Sequence, residues 1–265
     1  MNLRTPRARR TSRAQRTPGA QGPARTGAAL VAAAALGALV LTGCGTVTVG
    51  SRTVDVGPIA TEQRDVDAAT AIELATSGDV TVTRGDTASL TITAGEGILP
   101  HLTSDVEDGV LVLGVDDEVR WGSPGRVEYE LVLPELEAIS ITGSGDVSAD
   151  GATGELLVVN LEGSGGVQVR GVDVEAVSVA IAGSGGVDLE GRAESQDVSI
   201  EGSGSYSGGS LATSAAVVAI DGSGGATLDV SSTLEVAIGG SGSVTYTGDA
   251  EVTKDIDGSG DVQRR

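Results

Sequence analysis

The fold of this chain is decided by a stretch that reads ISITGSGDV at residues 139–147 and returns as VAIAGSGGV at residues 179–187. Its Gly-Ser-Gly tripeptide recurs every 18 to 20 residues, beginning at Gly143, Gly163, Gly183, Gly202, Gly222, Gly240 and Gly258. A fixed period of this size is typical of stacked structural repeats rather than of a conventional globular core.

The residues on either side of the tripeptide alternate in hydrophobicity. Within one repeat, Val179 and Ile181 precede the tripeptide and Val187 follows it, and the same columns are apolar in most of the other repeats. Alternation with period two is that of a β-strand with one face against a core. We therefore predict an all-β fold, a parallel β-solenoid (a single-stranded β-helix) with 18–20 residues per coil. The general handedness of parallel connections favours right-handed coiling.

The glycines of each tripeptide are expected to form a corner between two strands. Such a corner needs a positive φ angle or a close approach to the backbone of the next coil, and glycine permits both. The serine between them can hydrogen-bond a neighbouring coil. We therefore interpret the tripeptide as a structural corner rather than as a ligand-binding motif.

The N-terminal residues have the pattern of an export signal. Residues 1–26 contain seven arginines and no acidic residue, and an apolar run at 27–41 is shorter than the roughly 20 residues of a membrane span. The run ends in Leu41-Thr42-Gly43-Cys44, which resembles the lipobox of bacterial lipoproteins; the resemblance implies cleavage before Cys44 and lipidation of its thiol. We predict a signal peptide at 1–43 and a lipidated Cys44 with a spacer at 44–61. An uncleaved signal anchor is the alternative.

The charge of the chain limits its partners. Cys44 is the only cysteine, which excludes a disulfide framework and a thiolate metal cluster. All 37 acidic residues follow Cys44 and seven of the 17 basic residues precede it, so the predicted mature chain has a net charge of about −27. This charge opposes binding to nucleic acid and adsorption on anionic lipid. We expect no nucleic-acid partner, no cofactor, and membrane attachment through the N-terminal lipid.

The repeat pattern extends in a looser form toward the N-terminus. Ile72 and Leu74 precede a Thr-Ser-Gly turn, and Val80 and Val82 follow it. Further strand-like runs continue to Leu133, and we interpret them as irregular first coils with insertions. We therefore place one domain over residues 62–265.

The C-terminal end departs from the pattern in one respect. Lys254 and Arg264 occupy columns that are apolar in earlier repeats. Charge in these columns is expected of a last coil with an open edge, because it discourages pairing with another chain.

The order of these motifs resembles the putative auto-transporter adhesin head domain family, also called the head GIN domain. The matching segments are Arg64-Asp-Val66, Thr76-Ser-Gly-Asp-Val80, Leu133-Pro-Glu-Leu136 and Ile139 to Val147. The resemblance covers about residues 62–262 and implies a β-helix-like fold with no established biochemical activity. Family members usually have an aromatic residue soon after the arginine. This chain has Ala69 or Ala71 there, which predicts looser packing of the first coil.

The sequence contains few residues suited to catalysis or metal binding. His101 is the only histidine, and no Gly-x-Ser-x-Gly motif is present. Glu201 and Asp221 precede successive tripeptides and are expected to face each other one coil apart, where like charges are unfavourable and a cation would relieve them. Solvation of the two carboxylates is the interpretation we prefer. We predict no metal site, with Glu201 and Asp221 as the only candidate ligands.

These observations predict a lipid-anchored, non-enzymatic β-solenoid in the cell envelope that acts in binding, adhesion or scaffolding. Its partner is expected to be an envelope glycan or protein. Trp121, in a predicted loop, is a candidate contact, and the other binding residues are not identified by the sequence. The alternative is a carbohydrate-active enzyme built on a β-helix, which requires acids and a base on one face of a groove.

Overall fold

The computed structural model of this chain describes residues 46–49, 52–116, 119–120 and 125–265, without the side chains of residues 46–49, 52–55 and 119–120. The predicted signal peptide, Cys44 and Trp121 lie outside the described residues. The predictions made for them stay predictions.

Strands make up most of the described residues, because valine, isoleucine and threonine are concentrated in alternating runs. In chain order they are β1 (Thr46–Val49), β2 (Arg52–Asp55), β3 (Ile59–Arg64), β4 (Ala71–Leu74), β5 (Asp79–Arg84), β6 (Ser89–Gly95), β7 (Leu102–Glu107), β8 (Val110–Val115), β9 (Val119–Arg120), β10 (Glu128–Leu133), β11 (Ala138–Ile141), β12 (Asp146–Asp150), β13 (Thr153–Gly163), β14 (Gly166–Gly183), β15 (Gly186–Gly202), β16 (Ser205–Gly222), β17 (Gly225–Gly240), β18 (Ser243–Thr247), β19 (Glu251–Gly258) and β20 (Asp261–Arg264). A 3-10 turn spans Leu99–His101.

The regular repeats form a continuous parallel ladder. From β11 to β20, each coil pairs in parallel with the next. The register aligns equivalent positions of successive repeats, so that Val179 pairs with Val198 and Ile181 with Ile200. The predicted parallel β-solenoid is confirmed, and each coil advances by about 4.8 Å. The handedness of the coil stays a prediction.

Aliphatic side chains stacked in ladders fill the interior of the coil. One such ladder is fully buried from the first regular repeat to the penultimate one and consists of Ile141, Leu161, Ile181, Ile200, Ile220 and Ile238. The residues between inward positions point outward and are mostly exposed. The interior is therefore a packed core of the kind that burial of aliphatic surface stabilises.

The corners have both features predicted for the glycines. Gly183 has a φ of +140°, and a Cβ added to it would lie 2.4 Å from the carbonyl oxygen of Gly163 in the preceding coil. The backbone N–H of Ser184 donates to that same oxygen at 3.0 Å. The serine thus bonds the neighbouring coil through its backbone, and its side chain is exposed.

The first coil along the chain does not lie at the end of the stack. β4 pairs in parallel with β8 on one side and β11 on the other, and β5 pairs in the same way with β10 and β12. Strands β4 and β5 are therefore inserted between β8 and β10 on one side and β11 and β12 on the other. Hydrogen bonds hold the inserted coil, including Gly85 N to Leu133 O at 3.0 Å and Glu137 N to Thr70 O at 2.7 Å.

Antiparallel strands close this end of the solenoid. β6 pairs antiparallel with β3 and β10, and β7 pairs antiparallel with β8. The segment that we interpreted as irregular coils is thus partly an antiparallel cap. Arg64 ties the cap together, since Nη1 donates to Leu102 O at 2.6 Å and Nη2 donates to Leu99 O at 2.9 Å. Ala69 is buried in the core, and the predicted looser packing around it stays a prediction.

A small separate sheet precedes the cap. β1 pairs antiparallel with β2 and with β9. Residues 44–61, predicted to be a spacer, therefore contain β1, β2 and the first residues of β3. Valine alternating with a polar residue in residues 46–49 and 53–56 favours these strands.

The C-terminal coil is open, as its charged residues predicted. Lys254 pairs in register with Val236, and Arg264 with Tyr246. Both charged residues are exposed, whereas Val236 is buried. Arg264 also forms an ion pair with Asp249.

Candidate functional site

The outer surface of the solenoid has a groove where two consecutive coils have glycine at an outward position. These two glycines belong to a column of outward residues that pair in register on successive coils. The column consists of Asp146, Gly166, Gly186, Ser205, Gly225, Ser243 and Asp261. The groove has a volume of about 440 Å³. We call it the glycine groove: its floor is Gly166 and Gly186, and the side chains around it are Asp146, Ser148, Gln168, Asp188, Ser205 and Ser207.

Side-chain oxygen atoms lie at both ends of the glycine pair. Asp146 Oδ1 lies 2.9 Å from the position that a Cβ on Gly166 would take, and Ser205 Oγ lies 3.1 Å from the corresponding position on Gly186. Both side chains therefore lean over the glycine of the adjacent coil. Along one side runs a second outward column, in which Gln168 pairs in register with Asp188. The groove thus presents hydroxyl, amide and carboxylate groups above bare backbone.

The backbone does not require glycine at the floor of the groove. The φ angles of Gly166 and Gly186 lie outside the left-handed region, whereas those of the corner residues Gly163 and Gly183 are +134° and +140°. The closest atoms to an added Cβ are the flexible ends of side chains, and the nearest backbone atoms are 3.8 Å and 3.9 Å away. Glycine inside a strand lowers stability. A glycine inside a strand often marks a bulge, a tight bend or a close approach by a ligand or another backbone.

The groove is acidic. Asp146 and Asp188 line it, and the described residues around it include no lysine, arginine or histidine. Tyr206 is buried in the coil next to Asp188; burial raises the pKa of its hydroxyl, and the Asp188 carboxylate raises that pKa further. The groove therefore suits uncharged or cationic ligands and disfavours anions.

The described residues do not place a histidine beside these carboxylates. His101 ends the 3-10 turn in the N-terminal cap, whereas the groove lies on β12 to β16. Asp146 and Asp188 belong to coils two steps apart. The acids and base that the enzyme alternative requires on one face are not found together at this groove.

Glu201 and Asp221 lie on the other side of the tripeptide column, as predicted. The two residues are in register on adjacent coils. They line a second depression of similar size, about 450 Å³, together with Asp255 and Asp257. Within residues 46–116 and 119–265, so far as they are described, no three histidine, aspartate, glutamate or cysteine side chains are grouped to hold a metal ion. The cation site at Glu201 and Asp221 stays a prediction.

The glycine groove was not among the sites expected from the sequence. Its signal was present, because Gly166 and Gly186 directly follow a tripeptide where other repeats have Asp146, Ser205 or Asp261. Cys44 and Trp121, which the sequence did single out, lie outside the described residues. β1 begins two residues after Cys44. In the part of the chain that the structure describes, no helix has the length and apolar character of a membrane span.

Comparisons with known proteins identify a family and solved structures with a similar fold. The family described as "Putative auto-transporter adhesin, head GIN domain" matches residues 69–250. A crystal structure of a putative adhesin from Bacteroides fragilis NCTC 9343 is 25% identical, with a TM-score of 0.75, and the match covers 78% of this chain and 97% of that one. A putative adhesin from Parabacteroides distasonis ATCC 8503 is 20% identical, with a TM-score of 0.62, over 79% of this chain and 98% of that one.

A third structure has a different description. It is a putative lipid binding protein from Parabacteroides distasonis ATCC 8503, 21% identical, with a TM-score of 0.62 and coverage of 77% of this chain and 96% of that one. At this identity, the likeness shows the shared fold alone. No curated protein matches the sequence.

Proposed function

The chain belongs to the putative auto-transporter adhesin, head GIN domain family, and we propose that it is a lipid-anchored, non-catalytic binding module of the cell envelope. The adhesin-like character comes from the family. The lipid anchor and the envelope partner are the further steps of the proposal.

The observation that carries the proposal is the unbroken parallel ladder from β11 to β20. It holds outward side chains at a spacing of about 4.8 Å on a rigid scaffold. Regular faces of this kind are used by repeat proteins as extended binding surfaces. A partner would meet the outside of the coil, because the inside is filled by buried aliphatic ladders.

Attachment by lipid is supported by the sequence before the solenoid. The lipobox-like tetrapeptide ends in Cys44, the only cysteine of the chain. The net charge of the mature chain, about −27, repels an anionic bilayer, so the folded part needs a covalent anchor to stay at the membrane.

The anchor is tested by comparing the full chain with its Cys44→Ala variant in a bacterial host. We expect the parent chain in the membrane fraction, with a lipid mass on Cys44, and the variant either uncleaved or released. A parent chain that carries no lipid mass contradicts the anchor.

The binding role is tested by retention of isolated envelope components on the detergent-solubilised full chain, with and without Ca²⁺. We expect retention of a glycan or protein component. Calcium-dependent retention that is lost in the Glu201→Gln, Asp221→Asn double variant would support a cation at those carboxylates. A folded protein that retains no component in either condition contradicts the binding role. The remaining function would then be that of a structural spacer.

A further inference from the structure

We propose that the free edge of β19 binds an extended strand of another envelope protein, in which an acidic residue lies between two apolar ones. The β19 edge is the side of Glu251–Gly258 that faces away from β17. The inference rests on the proposed binding role and deepens it by naming a surface and the chemistry of its partner. It uses no residue outside the described part of the chain.

The backbone of β19 is paired on one side. Within the described residues, β19 forms a parallel ladder with β17 and with no other strand. Strands in the middle of the solenoid, such as β15, are paired on both sides. The N–H and C=O groups on the outer side of β19 can therefore receive a further strand, which is how extended peptides bind by β-augmentation.

Two apolar side chains of β19 are incompletely covered at this edge. Val252 and Ile256 pair in register with Leu234 and Ile238 of the preceding coil. Leu234 and Ile238 are buried, whereas Val252 and Ile256 are only partly buried. A strand added at the β19 edge would cover them with two of its own inward side chains, and burial of apolar surface favours apolar residues there.

The inward position between these two residues is occupied by Lys254, the only lysine of the chain. Its register partner Val236 is buried, whereas Lys254 is exposed. Although the chain has 37 acidic residues, Lys254 forms no ion pair and no side-chain hydrogen bond with any described residue. A strand that covers Lys254 without an acid opposite it would bury an unpaired charge, and a carboxylate at that position removes this cost.

The same charge opposes a second copy of this chain as the partner. If two copies of β19 paired antiparallel with Val252 opposite Ile256, Lys254 would lie opposite its own counterpart. A slip of two residues would bring Asp255 opposite its own counterpart instead. Like charges directly opposite are destabilising. Lys254 therefore discriminates against the identical edge and in favour of a strand with an acid at that position.

The outward residues of β19 add a second preference. Glu251, Asp255 and Asp257 are exposed on the outer face. Opposite charges on neighbouring strands are stabilising, so basic or neutral residues suit the outward positions of the partner. The strand that fits the β19 edge therefore has the order apolar, basic, acidic, basic, apolar.

The test uses the detergent-solubilised full chain and two peptides of the same composition, both acetylated and amidated. The fitting peptide is Thr-Val-Arg-Glu-Arg-Val-Thr, whose symmetric order suits either strand direction. In the control peptide, Thr-Val-Glu-Arg-Arg-Val-Thr, an arginine takes the place of the central acid. Titration calorimetry measures binding. Carbodiimide activation of the single peptide carboxylate then joins the bound peptide to a neighbouring amine, and mass spectrometry locates the link.

We expect the fitting peptide to bind at least tenfold more tightly than the control peptide and to be joined to Lys254. Lys254→Glu should weaken binding of the fitting peptide at least tenfold and reverse the preference, because its charge now suits the central arginine. Lys254→Gln should remove the preference. Arg170→Glu, at an exposed position of β14, changes the net charge as much as Lys254→Glu does and should bind like the parent. Urea unfolding checks the fold of each variant.

The proposal is overturned if neither peptide binds, if the parent binds both equally, or if Lys254→Glu and Arg170→Glu have the same effect. A dimer of the full chain that dissociates in Lys254→Glu, measured by sedimentation, would assign the edge to a second copy and overturn it as well. Envelope retention that is unchanged in Lys254→Glu, without peptide binding, overturns the edge site alone and leaves the proposed function standing. Absence of both envelope retention and peptide binding contradicts both.

Discussion

The hydroxyl of Tyr206 donates a hydrogen bond of 2.7 Å to Oε1 of Gln196 in the interior of the coil. Gln196 Nε2 donates in turn to Thr213 Oγ1 at 2.8 Å, and that hydroxyl donates to Asp229 O at 2.9 Å. The Tyr206 ring fits because Gly208 leaves room for it: a Cβ there would lie 2.6 Å from the ring. A satisfied polar chain is thus built into an otherwise aliphatic core.

Removal of the Tyr206 hydroxyl should destabilise the solenoid. Tyr206→Phe leaves Gln196 Oε1 buried without its donor, which should lower the free energy of unfolding by about 1–3 kcal/mol. Urea unfolding followed by circular dichroism measures the change. Tyr246→Phe, at a half-buried position of the next-to-last coil, is the control and should have little effect. A loss no larger than that of the control would contradict the role of the network.

Corner glycines and outward-facing strand glycines should respond in opposite ways to alanine. Gly183→Ala places a Cβ 2.4 Å from Gly163 O at a φ of +140°, so it should cost at least about 2 kcal/mol or prevent folding. Gly225→Ala, at an outward strand position with ordinary φ, should be neutral or stabilise by up to about 1 kcal/mol. Thermal unfolding measures the change in stability of each variant. Equal changes would contradict the distinction between the two kinds of glycine.

Alkaline pH should destabilise the fold through its buried tyrosines. Burial raises the pKa of Tyr129 to about 12, against about 10 in the unfolded chain. Since the folded state holds the proton more tightly, the stabilisation is complete below pH 10 and is lost as the pH rises toward 12. The urea midpoint measured from pH 8 to 12 should fall over this window. Tyr129→Phe should flatten the fall, and a variant curve parallel to that of the parent would contradict the assignment.

Arg64 should be irreplaceable by lysine. Its guanidinium reaches Leu99 O and Leu102 O at once, and a lysine ammonium cannot reproduce this fork. Arg64→Lys should lower stability by about 1–3 kcal/mol and raise hydrogen exchange in residues 99–107 while β13 to β17 stay protected. Arg192→Lys is the matched control, because its pairing with Asp173 is exposed and should contribute little. Uniform loss of protection along the chain would show that Arg64 does not act locally.

The local pattern of the sequence was sufficient for much of this structure. Period-two alternation specifies which side chains face inward, and the Gly-Ser-Gly spacing sets the coil length. The register of Glu201 with Asp221 and the exposed Lys254 and Arg264 followed from the same columns. These features depend only on residues close in sequence, so the sequence can be read for them directly.

Tertiary structure alone decided where the first coil lies in the stack and where the groove lies. Strands β4 and β5 stack between β8 and β10 on one side and β11 and β12 on the other, and local alternation cannot choose among partners that present the same apolar columns. Gln196 likewise occupies an inward position only because Tyr206 and Thr213 approach it from the next coil. Gly166 and Gly186 are distinguished from the corner glycines by φ and by the atoms around them, which are properties of the stacked coils. By itself the sequence determined the repeat, its corners and its open end; pairing across coils decided the order of the stack and the shape of its surface, because those contacts join residues far apart in the chain.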